Sequence, residues 1–319
     1  MQTTDHYSIK KYKTALLDDV YNHPKTSCLM FSFETEKKSK IGLKLLQSQI
    51  VHVNLQGKSL YIFDNFFQKK DAKEMKAFFE ASSFSRSSYG SAAAVLQGER
   101  PVKTMNGKER YMLFEKPPGA IQEVFKLLGY IALQTQTQIT TLPWELCDKD
   151  GNGSPAIIVN KLERSTPTSR ELGRHKDVNP EKKISFGIPK LYQAGELFES
   201  TFTNGAPGKP WLVTLMLYTT ASNYCDSYQM GTVFYRNTGP LAIRLRCRDM
   251  RIVLFEGDIE HSIEESSIGE EVVTWRVSTV FKLVINPTSA AQSAKNSVEQ
   301  FFKNYAQDLI YSALEELIL

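Results

Sequence analysis

Between residues 156 and 285 the chain is a series of short runs rich in β-branched and aromatic residues, each closed by Gly, Pro, Asn or Asp. The runs occupy residues 156–162, 211–219, 232–236, 241–247, 251–255 and 272–285. Val, Ile, Thr, Tyr and Phe suit a pleated surface, and the breakers between the runs keep any one of them from growing into a helix. Many short strands in series bury their apolar faces only by folding into a sandwich or barrel. The expected class is therefore α+β with a mainly β core.

Helices flank that core. Residues 12–21 have a helical pattern closed by Asn22-His23-Pro24, and residues 27–33 and 50–63 read as strands. Residues 71–81 and 118–133 carry apolar positions at helical spacing, the second run opening at the Pro117-Pro118 pair, which suits a helix start. From residue 290 onward Val298, Phe301, Phe302, Tyr305, Leu309, Ile310, Ala313, Leu314 and Leu317 recur at helical spacing. They predict one long amphipathic helix that caps the core or forms a homodimer contact. The organisation expected is an α+β region over 1–150, the β core over 151–289 and the terminal helix over 290–319.

Composition excludes several classes. With 319 residues and 41% apolar content the chain can bury a substantial core, and nothing marks it as disordered, collagenous or coiled-coil. The net charge of +4, from 39 basic and 35 acidic residues, is spread along the chain and does not imply nucleic acid. Cys28, Cys147, Cys225 and Cys247 form no CxxC pair, so a disulfide framework or thiolate zinc site is not expected. The polar opening Met1-Gln2-Thr3-Thr4-Asp5-His6 lacks an apolar leader core, and no run approaches the ~20 apolar residues of a membrane helix. These features predict a cytoplasmic protein in a reducing compartment, with no membrane partner.

Five histidines occur, at positions 6, 23, 52, 175 and 261, and the last two lie in the β-rich half. In Arg174-His175-Lys176-Asp177 the histidine and aspartate are two apart, which on a strand places both on one face. In Glu256-Gly257-Asp258-Ile259-Glu260-His261 a Gly-Asp turn follows the apolar strand and delivers His261 onto the next one. Two neutral imidazoles and one carboxylate make the facial triad of non-haem iron(II) oxygenases, which leaves coordination positions open for an oxo-acid and dioxygen. Fifteen positions later (276 − 261) stands Arg276, and Ser278 shares its face within Val272-Val273-Thr274-Trp275-Arg276-Val277-Ser278. The planar guanidinium matches a carboxylate bidentately, and the serine hydroxyl can donate to the same group.

Taken in order, HxD, strand-turn-His and Arg-x-Ser resemble the motif set of the iron(II)- and 2-oxoglutarate-dependent dioxygenases over residues 154–286. A prolyl-hydroxylase-like texture begins upstream at Tyr61-Ile62-Phe63-Asp64-Asn65-Phe66-Phe67. The resemblance implies a double-stranded β-helix, jelly-roll or cupin-like, with flanking helices. By matching positions it makes His175, Asp177 and His261 the iron ligands, and Arg276 with Ser278 the partners of the distal 2-oxoglutarate carboxylate. Tyr218, in Leu215-Met216-Leu217-Tyr218, falls where many relatives place a further co-substrate contact. Asn160 matches the Asn of the Asn-x-Tyr pattern found in the plant and penicillin-forming branch, but Leu162 stands where that branch has its tyrosine, which argues against membership of it. Family members that halogenate replace the HxD carboxylate with a small residue, so Asp177 favours hydroxylation or oxidative demethylation.

The implied enzyme uses Fe(II), 2-oxoglutarate and O2. Its substrate class stays open among a protein or peptide side chain, mildly favoured by the upstream texture, a small metabolite, and an alkylated nucleic-acid base. The last lacks aromatics interleaved with basic residues, so a nucleic-acid partner is not expected. The alternative outside enzymology is an inactive β-helix scaffold that acts as a binding module. Three other features are read structurally or left open. Asp148-Lys149-Asp150-Gly151-Asn152-Gly153 opens like an EF-hand loop, but position twelve is Val159, so it reads as a turn. Arg244, Arg246 and Arg248 read as the solvated face of a strand opposite Ile243, Leu245 and Cys247, or as a basic surface for an anionic substrate or partner. Residues 181–210 read as a lid or recognition loop, or as a surface insertion.

Overall fold

The computed structural model describes residues 7–12, 28–33, 40–86, 102–105, 109–110, 112–113, 116–141, 157–162, 172–179, 184–185, 203–236, 242–264, 272–309 and 316–318. In chain order the strands are β1 (Tyr7–Tyr12), β2 (Cys28–Phe33), β3 (Gln49–Leu55), β4 (Lys58–Asp64), β5 (Phe84–Arg86), β6 (Val102–Met105), β7 (Gln138–Thr141), β8 (Ile157–Leu162), β9 (Leu172–His175) and β10 (Val178–Asn179). They continue with β11 (Ile184–Ser185), β12 (Trp211–Thr220), β13 (Thr232–Tyr235), β14 (Ala242–Leu245), β15 (Ile252–Glu256), β16 (His261–Ile263), β17 (Arg276–Asn286), β18 (Ala306–Asp308) and β19 (Glu316–Ile318). The helices are α1 (Lys40–Gln47), α2 (Lys69–Ala81), α3 (Gly119–Thr135) and α4 (Ala294–Phe302). None of the described helices is long and apolar enough to cross a membrane.

Eight strands form a double-stranded β-helix. β8, β17, β12 and β15 adjoin in the larger sheet, while β9, β16, β13 and β14 adjoin in the smaller one. The chain passes from β8 to β9, back to β12, over to β13 and β14, back to β15, over to β16 and back to β17. That alternation is the jelly-roll winding, with the two inner faces packed together. The larger sheet is extended on one side by β7, β2 and β1, and on the other by β4, β3 and β18.

Side-chain alternation explains the layers. Met216 and Tyr218 of β12 and Val253 and Phe255 of β15 face inward against Phe234, Ile243 and Leu245 of the smaller sheet. Leu215, Leu217, Phe281 and Leu283 face the other way, beneath Ile121, Val124, Phe125 and Leu128 of α3. β12 is buried along its whole length, so its sequence reads as a continuous apolar run instead of an alternating one. Gly231, just before β13, lies where a Cβ would come 2.0 Å from the Leu245 carbonyl oxygen, so a side chain there would break the approach of β14.

The predicted strands and helices of the core are present, with small shifts. α2 and α3 span the expected 71–81 and 118–133, and Pro118 is the N-cap of α3. β17 starts only at Arg276, because residues 272–275 run outside the sheet, with Val273 exposed. Arg244, Arg246 and Arg248 lie on the outer side, where Arg244 pairs with Glu264 at 3.2 Å and Arg248 with Asp64 at 3.5 Å. Of the helix expected over 12–21, Tyr12 instead ends β1, and the rest lies outside the described residues, as do residues 148–153 and most of 181–210.

The long terminal helix over 290–319 is corrected. α4 stops at Phe302, the chain turns through Lys303-Asn304-Tyr305, and β18 then pairs in parallel with β3 while β19 pairs in parallel with β14. Helical spacing in the sequence gave no sign of the two open sheet edges, whose unpaired backbone groups residues 306–308 and 316–318 satisfy. The Leu309 N–H donates to the His52 carbonyl at 2.9 Å, and His52 Nδ1 lies 2.8 Å from Asp308 Oδ1. The tail therefore fastens the edges of both sheets.

Only the first two turns' worth of that pattern packs as a helix. Phe302 is fully buried, with its ring 4.5 Å from Tyr61 and 5.5 Å from Phe63. Phe302→Ala is expected to lower the unfolding free energy by about 3–5 kcal/mol, read from urea denaturation; a loss below about 1 kcal/mol would show that α4 does not anchor this face.

Candidate metal centre

Each ligand candidate is placed by a different part of the winding. β9 pairs antiparallel with β16, and His175 is the direct cross-strand neighbour of His261, with ring centroids 4.4 Å apart. The register shifts between His261 and Ile263, an irregularity of the kind that re-aims side chains beside functional sites. Past His175 the chain leaves the strand, so Asp177 sits in a bend and not on the strand face that its spacing predicted. The Val178 N–H donating to the Gly257 carbonyl at 2.7 Å closes that bend against the turn before His261.

The turn itself is held from behind. Glu256, the last residue of β15, is buried and accepts from the Ser59 N–H and from Lys295 Nζ, each at 2.7 Å. Burial raises its carboxyl above the usual carboxylate range, against the lowering pull of Lys295. Gly257 donates to the Leu212 carbonyl at 3.0 Å, and Lys58 bridges to Asp258 at 2.8 Å. His261 then enters β16 between Phe255 and Phe234, whose ring centroids lie 4.9 and 5.9 Å away.

One ligand atom from each of His175, Asp177 and His261 falls within 4.8 Å of the others. His175 Nε2 is 3.7 Å from Asp177 Oδ1, and His261 Nε2 is 4.0 Å from Asp177 Oδ2. A metal bound at about 2.1 Å by each would hold cis donors about 3 Å apart, a gap that small side-chain rotations close. His261 Nδ1 faces the Ile259 carbonyl at 3.0 Å, which fixes the tautomer and leaves Nε2 with its lone pair toward the cluster. The donor chemistry fits a divalent transition metal.

The electrostatics agree. Burial raises the Asp177 carboxyl, but the Lys282 ammonium, a hydrogen bond from His175 and the charges of both imidazoles outweigh it and hold the carboxyl well below the usual range. Burial pushes the His261 imidazole down to about 4, against the raising pull of Asp177, so it is neutral at pH 7 as a ligand must be. Thr214 Oγ1 donates to Asp177 Oδ2 at 2.6 Å, and Lys282 Nζ contacts the same oxygen.

A second polar group lies deeper between the sheets. Arg276, the first residue of β17, is 1% exposed, and its Nε and Nη2 have no hydrogen-bond partner among the described residues. Its guanidinium carbon is 5.4 Å from the centre of the Tyr218 ring. Tyr218 and Thr232 share a hydrogen bond between hydroxyls at 2.5 Å, and burial keeps the phenol well above its ordinary pKa. Ser278 is the direct cross-strand neighbour of both Tyr218 and Asn160, so three of the predicted co-substrate residues share one inward row. Asn160 Oδ1 accepts from Thr104 Oγ1 at 3.2 Å. Leu162, opposite Arg276, is buried against Met230, which makes that side of the arginine apolar. Cys247 is buried nearby; burial, opposed by the charge of Arg276, pushes its thiol up to about 12.

β13 runs past both groups. Thr232 and Phe234 are alternate residues of β13, one beside Tyr218 and the other opposite His261. Thr214, Thr232 and Lys282 were not singled out in the sequence, and Cys247 was read only as an unpaired cysteine on an apolar strand face. Lys282 had a signal, since it continues the inward phase Arg276, Ser278, Val280 and is a lysine in an otherwise buried strand.

No family model and no curated protein matches the sequence. Among solved structures the fold is similar to a prolyl hydroxylase from Trichoplax adhaerens in complex with a hypoxia inducible factor oxygen degradation domain peptide fragment. That match has TM-score 0.39 and 12% identity, covering 76% of this chain and 86% of that one. It is also similar to HygX from Streptomyces hygroscopicus with nickel, 2-oxoglutarate and hygromycin B bound. Here the TM-score is 0.38 and the identity 7%, covering 72% of this chain and 83% of that one. The described residues combine two facing β-sheets with a His-Asp-His cluster.

The low pKa of His261 has a consequence for stability. The unfolded imidazole takes its proton near 6.5 and the folded one only near 4, so the unfolded state binds more protons in between. Metal-free protein is expected to lose thermal stability as pH falls from 6.5 to 4. His261→Gln, which cannot titrate there, is expected to flatten that slope; an unchanged slope would place the cause elsewhere.

Proposed function

We propose that this chain is an iron(II)- and 2-oxoglutarate-dependent oxygenase. The observation that carries the reading is Arg276, a buried guanidinium whose Nε and Nη2 have no hydrogen-bond partner among the described residues, in a fold that also brings together a His-Asp-His cluster. A buried charge without a partner is expensive, and an anion that fills the pocket supplies the missing hydrogen bonds. His175, Asp177 and His261 would hold the iron, and Arg276 with Ser278 and Tyr218 would hold the distal carboxylate of 2-oxoglutarate, with Asn160 at the edge of the same row. Bound iron(II) supplies the oxidation by dioxygen that converts 2-oxoglutarate to succinate and carbon dioxide and inserts one oxygen atom into a substrate C–H bond.

The chain's own residues do the rest. Neutral His261 keeps its ligating nitrogen unprotonated, Thr214 and Lys282 orient Asp177, and Phe234 and Phe255 keep water from the inner side of the cluster. The His175 side chain is 54% exposed, so the cluster opens to solvent on the His175 side. That opening supports a substrate that approaches from outside, such as a protein or peptide side chain, over a small metabolite enclosed in the barrel. The second reading, a metal-free scaffold, rests on one observation: Lys282 already neutralises Asp177.

The two readings separate in an anaerobic reconstitution with iron(II) and 2-oxoglutarate. The oxygenase shows the weak visible charge-transfer band of a chelated oxo-acid, which His175→Ala abolishes. Arg276→Ala is expected to retain iron and to need about tenfold or more 2-oxoglutarate, in keeping with the loss of a bidentate charged contact. Absence of metal binding in the unaltered protein would leave the scaffold reading.

A further inference from the structure

Lys282 is a costly residue where it stands. It lies on the inner face of β17, directly across from Thr214, and is 4% exposed, in a row where its neighbour two residues back is Val280. An apolar side chain of the same length would fill that position without desolvating an ammonium. Both Lys282 Nζ and Thr214 Oγ1 end on Oδ2 of Asp177, while Oδ1 faces His175 Nε2 at 3.7 Å. Oδ2 is thus engaged by two donors from the larger sheet, with His261 Nε2 4.0 Å away, whereas Oδ1 is engaged by neither donor and faces His175.

We propose that Lys282 is a positioning residue of the metal site: with Thr214 it pins Oδ2 of Asp177, commits Oδ1 as the single ligating oxygen, and sets the charge of the centre. This rests on the metal-site reading above. Two neutral imidazoles and one carboxylate reduce a divalent ion to a net charge of about +1, whereas a lysine that already balances the carboxylate leaves the full +2 facing the open positions. The centre then holds its metal less tightly and attracts an anionic co-substrate more strongly. Lys282 and Arg276, from one strand face, would in this way favour a dianion from its two ends.

Cobalt(II) serves as the probe, because its visible ligand-field bands report coordination number without turnover. Wild-type protein, Lys282→Met, Thr214→Val and His175→Ala are titrated with cobalt(II), and the cobalt forms are then titrated with 2-oxoglutarate. Lys282→Met is expected to bind cobalt about tenfold or more tightly and 2-oxoglutarate about tenfold or more weakly than wild type, as loss of one nearby positive charge requires. Its ligand-field bands change as Oδ2 becomes free to coordinate. Thr214→Val keeps the charge, so it changes the bands without tightening the metal. A Lys282→Met protein with wild-type cobalt affinity and bands, or with weaker affinity, overturns the proposal and leaves the metal site standing, provided that His175→Ala loses cobalt. Wild-type protein that binds no cobalt overturns the metal-site reading and this proposal together. If Lys282→Met does not fold, as judged by near-ultraviolet circular dichroism, unchanged bands in Thr214→Val overturn the pinning of Oδ2.

Discussion

The pairing of β12 with β17 is the constraint on which the rest of the molecule depends. Ten consecutive residues of one strand face ten of the other, from Trp211 opposite Ile285 to Thr220 opposite Arg276. Side chains alternate with a period of two, so this register alone decides what faces the smaller sheet: Thr214 with Lys282, Met216 with Val280, Tyr218 with Ser278, Thr220 with Arg276. A slip by one residue would turn that whole row toward α3 and the helical layer. The apolar partners of the same strands, Leu215, Leu217, Phe281 and Leu283, oppose such a slip because they are buried on the other side.

The site exists because two sheets meet. The imidazoles come from neighbouring strands of the smaller sheet, whereas the groups that hold the Asp177 carboxylate and the buried guanidinium of Arg276 come from the larger one. Burial acts on these groups in opposite senses. It drives His261 toward its neutral form, which a metal needs, and works against ionised Asp177, which therefore relies on Lys282. The network of Glu256, Ser59 and Lys295 connects α4 and β4 to the turn that carries His261, so packing on the far side of the larger sheet is transmitted to the cluster.

The elements read well from the sequence were those whose local pattern and tertiary setting agree. β12, β13 and β15 are short β-branched runs between breakers, and α2 and α3 have apolar stripes that meet a sheet. The C-terminal segment shows the opposite case. Its apolar positions recur at helical spacing, yet after Phe302 the backbone finds better partners in the open edges of β3 and β14. A periodicity describes which face a helix would bury, and it contains no information about sheet edges formed by distant parts of the chain.

By itself the sequence offered a candidate donor set, because chemistry limits which residues can bind a metal or grip a carboxylate: His175, Asp177, His261 and Arg276 stand out as residue types at telling intervals. Only the tertiary structure decided that Asp177 lies in a bend instead of on a strand, that Arg276 is buried with its Nε and Nη2 unpartnered among the described residues, and that Lys282 and Thr214 converge on one carboxylate oxygen. Those facts depend on contacts between residues 37 to 105 positions apart in the chain, such as Thr214 with Asp177 (214 − 177) and Lys282 with Asp177 (282 − 177). Such contacts are made by the closure of two sheets, and no local run of residues encodes it.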